Sequence, residues 1–149
     1  MKPLFVLLIV FIIGNLVIRQ YRGYMDYHLA GKIALAATLF FTSLGHLIYT
    51  KGMMLMLPDF IPLKKEMIYL TGLLEVMAAF GLFVPSLSRL TGILLIVFFI
   101  LILPTNIFAS IRHLNYETAT YDGKGTGYLW FRIPFQVFLI CWTYYFVLC

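Results

Sequence analysis

Long apolar stretches separated by short polar segments dominate the hydrophobic pattern of the chain. A helix needs about 20 mostly apolar residues to cross a bilayer. Five stretches approach this length: residues 4–18, 29–49, 67–84, 90–111 and 128–148. The pattern therefore predicts an all-α fold, a polytopic transmembrane helical bundle that occupies the chain as a single domain.

Composition leaves little room for a separate soluble domain. Hydrophobic residues make up 62% of the 149 residues and charged residues 11%, with a mean hydropathy of +0.96. A water-soluble domain of this length needs a more polar surface. We therefore expect any chemistry to lie within the bundle or in its short loops.

The first apolar stretch invites comparison with a secretory signal, because Lys2 precedes it. A cleaved signal ordinarily ends in a small-residue cleavage site. Here the stretch ends in Gly-Asn-Leu-Val-Ile-Arg over residues 14–19, which is not such a site. We therefore expect an uncleaved N-terminal transmembrane helix.

The basic residues indicate an orientation. With five crossings, the N-terminus and the second and fourth loops share one side of the membrane. Seven basic residues fall on that side and four on the other: Lys2, Lys51, Lys64, Lys65, Arg112, Lys124 and Arg132 against Arg19, Arg22, Lys32 and Arg89. Because cytoplasmic loops are enriched in Lys and Arg, this predicts a cytoplasmic N-terminus and an external C-terminus.

The net charge of +5 fits contact with anionic membrane lipids, while the scatter of basic residues argues against nucleic-acid binding.

Residues 51–65 separate the second and third stretches and contain three methionines and two prolines, with four charged side chains. The segment is too apolar for a solvated loop, and too short and proline-broken to cross the bilayer. Pro58 and Pro62 are expected to end helices there. We predict an interfacial anchor, and the alternative is a lid at a lipid-side entrance.

Five polar side chains lie in the predicted spans near the ends that share one side: His46, Glu75, Asn106, Arg132 and Gln136. Four have ordinary structural explanations: packing for His46, hydrogen bonds between helices for Asn106 and Gln136, and contact with headgroups for Arg132. Glu75 differs, because a carboxylate ~12 Å inside a span is costly unless it is protonated or paired. We predict that Arg132 pairs with Glu75, with His46 alongside, and that all five residues form a polar ligand-binding pocket.

Motifs for metals and intrinsic cofactors are missing from the sequence. Cys141 and Cys149 form neither a Cys-x-x-Cys motif nor a Cys/His zinc spacing. The glycines of residues 122–127 lack the order of a phosphate-binding loop. We expect no metal site and no intrinsic cofactor.

Several short motifs resemble the DoxX family of small membrane proteins. They are Gly45-His46 at the end of a span, Leu57-Pro58 and Ile61-Pro62 in the loop, Tyr-Leu-Thr-Gly-Leu-Leu-Glu over residues 69–75, Pro-Thr-Asn-Ile over 104–107 and Phe-Arg-Ile-Pro-Phe-Gln over 131–136. The resemblance runs from about Leu29 onward. It implies a four-helix DoxX-like core with an additional N-terminal transmembrane helix, in a bacterial-type cytoplasmic (inner) membrane.

The functions that the resemblance implies are diverse. Some DoxX members serve as membrane subunits linked to thiosulfate and quinone redox chemistry, and others are linked to oxidative-stress complexes. A related eukaryotic branch assists receptor assembly. Membership of such a family fixes the fold better than the activity.

Two hypotheses about function follow. In the first, the polar pocket binds an exogenous quinone or another amphiphilic small molecule, and Glu75 or His46 moves a proton. In the second, the chain is a structural or assembly subunit, similar to a chaperone, that acts through membrane or redox protein partners. Whether the protein is an enzyme is left open. Solute transport has less support, because the spans contain one acidic residue and no convincing inverted repeat.

Overall fold

The structure, a computed structural model, describes residues 2–149 as helices and connecting loops with no strand. The six α-helices are α1 (Lys2–Arg22), α2 (Tyr27–Ile48), α3 (Thr50–Met56), α4 (Lys64–Gly81), α5 (Pro85–Ile111) and α6 (Leu129–Thr143). A 3-10 turn over Gly125–Tyr128 leads into α6, and a π-helical turn over Tyr144–Leu148 extends it. The all-α fold predicted from the sequence is confirmed.

Within residues 2–149, four helical segments are long and apolar enough to cross a membrane: Lys2–Arg22, Tyr27–Ile48, Pro85–Ile111 and Gly125–Leu148. The chain is thus a membrane protein built as a helical bundle. Helix α4, which contains most of the predicted span over residues 67–84, is less apolar, because Lys64, Lys65 and Glu66 form its first turn and Glu75 lies further along it. A fifth crossing by α4 stays a prediction.

Local sequence signals set the helix boundaries. The side chain of Asp26 caps α2 by accepting a hydrogen bond of 3.0 Å from the Leu29 backbone N–H. Pro85 occupies the start of α5, where its missing N–H costs nothing. Pro58 and Pro62 lie in the segment between α3 and α4, so the predicted helix breaks are confirmed.

Helices α2, α4, α5 and α6 form the body of the bundle, and α1 packs mainly against α2. Their buried apolar side chains form one core: Leu7, Ala34, Leu35, Ala36, Leu39, Ala79, Leu82, Leu95, Phe99, Phe135, Leu139 and Trp142. Small residues permit the close packing. A Cβ on Gly31 would overlap the Phe146 ring, and the Trp142 indole N–H donates to the Gly31 carbonyl at 3.1 Å.

One end of the bundle gathers the end of α2, the start of α4, the end of α5 and the start of α6. Helix α3 and residues 112–124 cover this end. They meet where Gly52 lies against the backbone of Tyr116, so closely that a Cβ on Gly52 would overlap the Tyr116 carbonyl oxygen. The predicted convergence of these four helix ends, near which all the candidate residues lie, is confirmed.

Candidate ligand-binding site

Glu75 lies buried between α4 and α2, with 6% of its surface exposed. Its Oε2 accepts a hydrogen bond of 2.8 Å from the Thr42 hydroxyl, and its Oε1 lies 3.5 Å from His46 Nε2. Thr42 and His46 are one helical turn apart on α2, so both side chains face Glu75. The predicted association of His46 with Glu75 is confirmed. We refer to Thr42, His46 and Glu75 as the α2–α4 cluster.

Hydrogen bonding determines which nitrogen of His46 carries a proton. Nδ1 lies 3.0 Å from the backbone carbonyl oxygen of Ile68, and a carbonyl can only accept. The Thr71 hydroxyl, 3.1 Å from the same nitrogen, donates its own hydrogen to the Ile68 carbonyl. Nδ1 is therefore the protonated donor, and Nε2 faces Glu75.

One proton between His46 Nε2 and Glu75 Oε1 satisfies both groups. Without it, the lone pair of a neutral imidazole would face the negative carboxylate. With it, the pair is either imidazolium and carboxylate or neutral imidazole and carboxylic acid. Both forms have zero net charge, which reduces the cost of placing the pair inside a membrane bundle. A single shared proton would therefore leave the cluster without net charge.

Arg132 is not the partner of Glu75, so the predicted Glu75–Arg132 pair is wrong. The guanidinium donates to Asn106 Oδ1 at 2.9 Å and lies 3.4 Å from the Tyr128 hydroxyl. No carboxylate of residues 2–149 lies within 4.0 Å of it. The reason is helix adjacency: α4 packs mainly on α2, whereas α6 packs mainly on α5. We refer to Asn106, Tyr128 and Arg132 as the α5–α6 cluster.

Gln136 belongs to neither cluster. Its side chain is 3% exposed, and its Nε2 donates to the Phe99 carbonyl at 2.6 Å, which ties α6 to the backbone of α5. This is the structural role that intramembrane amides commonly have. The five candidate residues thus divide into two clusters and one link between helices, rather than one pocket.

The α2–α4 cluster borders a groove of about 320 Å³ on the outer surface between the two helices. The groove is lined by Ser43, His46, Leu47, Tyr69, Gly72, Leu73 and Val76. Gly72 lets α4 approach His46, since a Cβ there would lie 3.0 Å from the His46 Cβ. Mostly apolar walls with a few polar groups are typical of a small-molecule site.

A second, more polar cavity of about 700 Å³ lies at the covered end of the bundle. Leu47 and Tyr69 line both this cavity and the groove, so the two meet at these residues. Lys51 and Lys65 also line the cavity, and Lys65 Nζ lies 5.8 Å from the centre of the Tyr69 ring. Together with Glu117, these two lysines give the cavity a charged lining.

Two titratable groups in the loops at this end have shifted pKa values. The hydrogen bond and charge of Lys64, with help from Arg112, hold the pKa of Asp59 below its usual range. Burial raises the pKa of the Tyr116 phenol, nearby Tyr128 raises it further, and the charge of Arg132 opposes the rise. The Asp59 contacts, at 3.1 Å to Lys64 and 3.6 Å to Arg112, connect the loop after α3 to α4 and to the end of α5.

Sequence reasoning missed three contributors: Thr42 and Tyr69 beside His46, and Tyr128 beside Arg132. Two of them carried a signal, because Thr42 and Tyr128 each lie four residues before an ionisable candidate on the same helical face. Tyr69 did not, since its role depends on α4 packing against α2. Within residues 2–149, no group of three or more His, Cys, Asp or Glu side chains is placed to hold a metal ion.

A family described as "Domain of unknown function (DUF8561)" matches residues 35–147. The chain belongs to this family. The DUF8561 region begins within α2 and contains both clusters, the groove and the polar cavity, and it leaves out α1. Neither a curated protein nor a solved structure matches the chain.

Proposed function

We propose that this DUF8561 protein binds an amphiphilic small molecule, with a quinone as the leading candidate, in the groove between α2 and α4. One observation carries the proposal. His46 lines an apolar groove on the outer surface and, on its other side, faces the buried Glu75 at 3.5 Å. A proton held inside the bundle is thus adjacent to a site that lipid-soluble molecules can reach.

The side chains of the groove fit a quinone-like head. Its carbonyl oxygens need hydrogen-bond donors, and the Tyr69 hydroxyl has no hydrogen-bond partner among residues 2–149. Both ring nitrogens of His46 face acceptors within the protein, Nδ1 the Ile68 carbonyl and Nε2 the Glu75 carboxylate, so Tyr69 supplies the donor and His46 contributes the edge of its ring as a contact surface. Leu47, Leu73 and Val76 provide apolar walls for a ring, and a tail would extend from the open side of the groove.

The chemistry that a bound quinone supplies is the exchange of electrons and protons. The protein's part is to hold and move one proton between His46 Nε2 and Glu75 Oε1, while the Thr42 hydroxyl stabilises the carboxylate. The sequence contains no motif for an electron-carrying cofactor. We therefore propose a redox protein partner as the source of electrons.

We further propose that α2, α4, α5 and α6 form a DoxX-like core in a bacterial-type inner membrane, with the N-terminus in the cytoplasm. The DUF8561 match supports the separation of α1 from this core, because the match starts after α1 has ended. Two of the DoxX-like motifs, Gly45-His46 and residues 69–75, contribute residues to the groove.

Binding of a short-chain ubiquinone analogue to purified protein in nanodiscs tests the proposal. His46→Gln and Tyr69→Phe should each weaken binding, and His46→Gln by at least tenfold, or about 1.4 kcal/mol. Gln136→Leu is the matched control, because it removes a buried amide outside the groove. Equal affinity of wild type and a folded His46→Gln variant would overturn the proposal.

The alternative is a structural or assembly subunit. It is favoured by one observation: the polar atoms of Glu75 and His46 already have partners within the protein, with Thr42 at Oε2, Ile68 at Nδ1, and Oε1 and Nε2 facing each other. In that case Glu75→Gln should reduce folding yield or recovery of a membrane partner, with no change in any bound molecule. The binding measurement above separates the two functions.

A further inference from the structure

The α5–α6 cluster carries a positive charge that no carboxylate of residues 2–149 neutralises. Arg132 lies half-buried in the first turn of α6, and its nearest polar partners, Asn106 and Tyr128, are neutral. Charged groups at such positions in membrane proteins are ordinarily paired. The acidic residues of the covering loops have other partners: Glu117 pairs with Lys2 at 2.9 Å, Asp59 pairs with Lys64 and Arg112, and Asp122 accepts a hydrogen bond from the Thr120 hydroxyl.

Beside this charge lies a buried donor without an acceptor. Asn106 is 4% exposed, and its Oδ1 accepts from Arg132 at 2.9 Å. That hydrogen bond fixes the orientation of the amide, so Nδ2 is the free end, and it has no partner among residues 2–149. Buried polar atoms are nearly always hydrogen-bonded in folded proteins. The cluster therefore lacks an acceptor rather than another donor.

Guanidinium hydrogens, an amide N–H and the Tyr128 hydroxyl together complement an oxyanion. The planar guanidinium matches two oxygens of a phosphate or carboxylate at once. Trp130, 86% exposed at the start of α6, is typical of residues at the membrane–water boundary. Arg132 therefore lies at the depth of lipid headgroups, where phosphodiesters are the abundant oxyanion.

We propose that Arg132, Asn106 and Tyr128 form a binding site for an oxyanion, occupied by the phosphodiester of an anionic phospholipid. This site is separate from the groove between α2 and α4 and takes a different class of ligand. It does not depend on the function proposed for that groove.

Native mass spectrometry of the detergent-solubilised protein tests this inference, with phosphatidylglycerol, phosphatidylcholine and inorganic phosphate titrated separately. Wild type should bind phosphatidylglycerol in preference to phosphatidylcholine. Arg132→Gln should weaken phosphatidylglycerol binding by about tenfold or more, since charge-assisted hydrogen bonds are lost. The phosphatidylglycerol affinity of Arg132→Lys should lie between those of wild type and Arg132→Gln, because lysine keeps the charge but lacks the planar guanidinium group.

Arg89→Gln is the matched control, because it removes the same charge from an exposed position at the opposite end of α5 from Asn106. It should leave phosphatidylglycerol affinity unchanged. If Arg132→Gln does not fold, Asn106→Leu and Arg132→Lys keep the test available, with folding checked by circular dichroism.

Equal phosphatidylglycerol affinity for wild type, Arg132→Lys and Asn106→Leu would overturn the site. An equal loss in Arg89→Gln would also overturn it, because the effect would then be one of overall charge. Arg132-dependent binding of inorganic phosphate without selectivity between the two lipids would overturn the lipid source and identify a soluble anion as the ligand.

Discussion

Replacing His46 and Glu75 by glutamine, singly and together, tests whether the two residues act as a unit that shares one proton. Glu75→Gln keeps an oxygen for the Thr42 hydroxyl but cannot exchange a proton with His46. His46→Gln keeps a donor for the Ile68 carbonyl but removes the imidazole. Each single variant therefore removes mainly the contact between Nε2 and Oε1, which is 3.5 Å long. The double variant has no further contact of this kind to lose.

The expected coupling follows from that contact. Hydrogen bonds between membrane helices contribute on average about 0.6 kcal/mol, with a maximum of about 1.7 kcal/mol. The His46–Glu75 contact, at 3.5 Å, is long for a hydrogen bond but joins opposite charges in one of its two forms, so we take a value between that average and that maximum. We therefore expect the losses of unfolding free energy in the two single variants, added together, to exceed the loss in the double variant by about 1 kcal/mol.

Reversible unfolding in mixed micelles of mild detergent and dodecyl sulfate, followed by circular dichroism, measures this coupling. A second cycle that combines Glu75→Gln with Gln136→Leu is the control. Gln136 bonds to α5, so the stability losses of these two substitutions should be additive. Additivity of the His46 and Glu75 changes within about 0.3 kcal/mol would refute the shared proton.

Three further predictions concern the covered end of the bundle and the α5–α6 contact. Gly52→Ala should cost more than about 2 kcal/mol of unfolding free energy, because the methyl group would overlap the Tyr116 carbonyl; a change below about 0.5 kcal/mol would contradict this packing. Gln136→Leu should cost about 1 kcal/mol in the same assay through loss of its bond to Phe99, and an unchanged stability would show that the bond contributes nothing. Lys64 lowers the pKa of Asp59, so the stability from this ion pair is present above the ordinary aspartate pKa of about 4 and is lost as pH falls through the lower folded-state value. Lower hydrogen-exchange protection factors over residues 57–63 on acidification, with rates corrected for the intrinsic effect of pH, should report that loss, and Asp59→Asn should abolish this change; an identical acid response in Asp59→Asn would disprove the assignment.

The sequence was sufficient for features that depend on one helix at a time. The face formed by Gly72, Glu75 and Ala79 follows from helical spacing, and all three residues are buried. Pro58 and Pro62 marked the break between α3 and α4 because proline cannot continue a helix. Such features depend on local geometry, which the order of residues determines.

Features that depend on which helices are neighbours could not be predicted in the same way. Helical periodicity places Glu75 on an inward-packing face of its helix, but it does not show which helix that face meets or which residues lie opposite. Charge alone favoured an ion pair between them, and α4 instead packs on α2, where Thr42 and His46 satisfy the carboxylate. The groove and the role of Tyr69 arise from the same packing and were invisible in the sequence for the same reason.

Photo-crosslinking with a light-activated short-chain quinone in nanodiscs tests the central claim most directly, namely that the groove between α2 and α4 binds an amphiphile. We predict that labelled peptides, mapped by mass spectrometry, come mainly from the groove around Tyr69 and Leu73. Excess unlabelled quinone should suppress this labelling, and His46→Gln should reduce it several-fold. Labelling spread evenly over the apolar surface, unaffected by competitor and equal in His46→Gln, would contradict the claim.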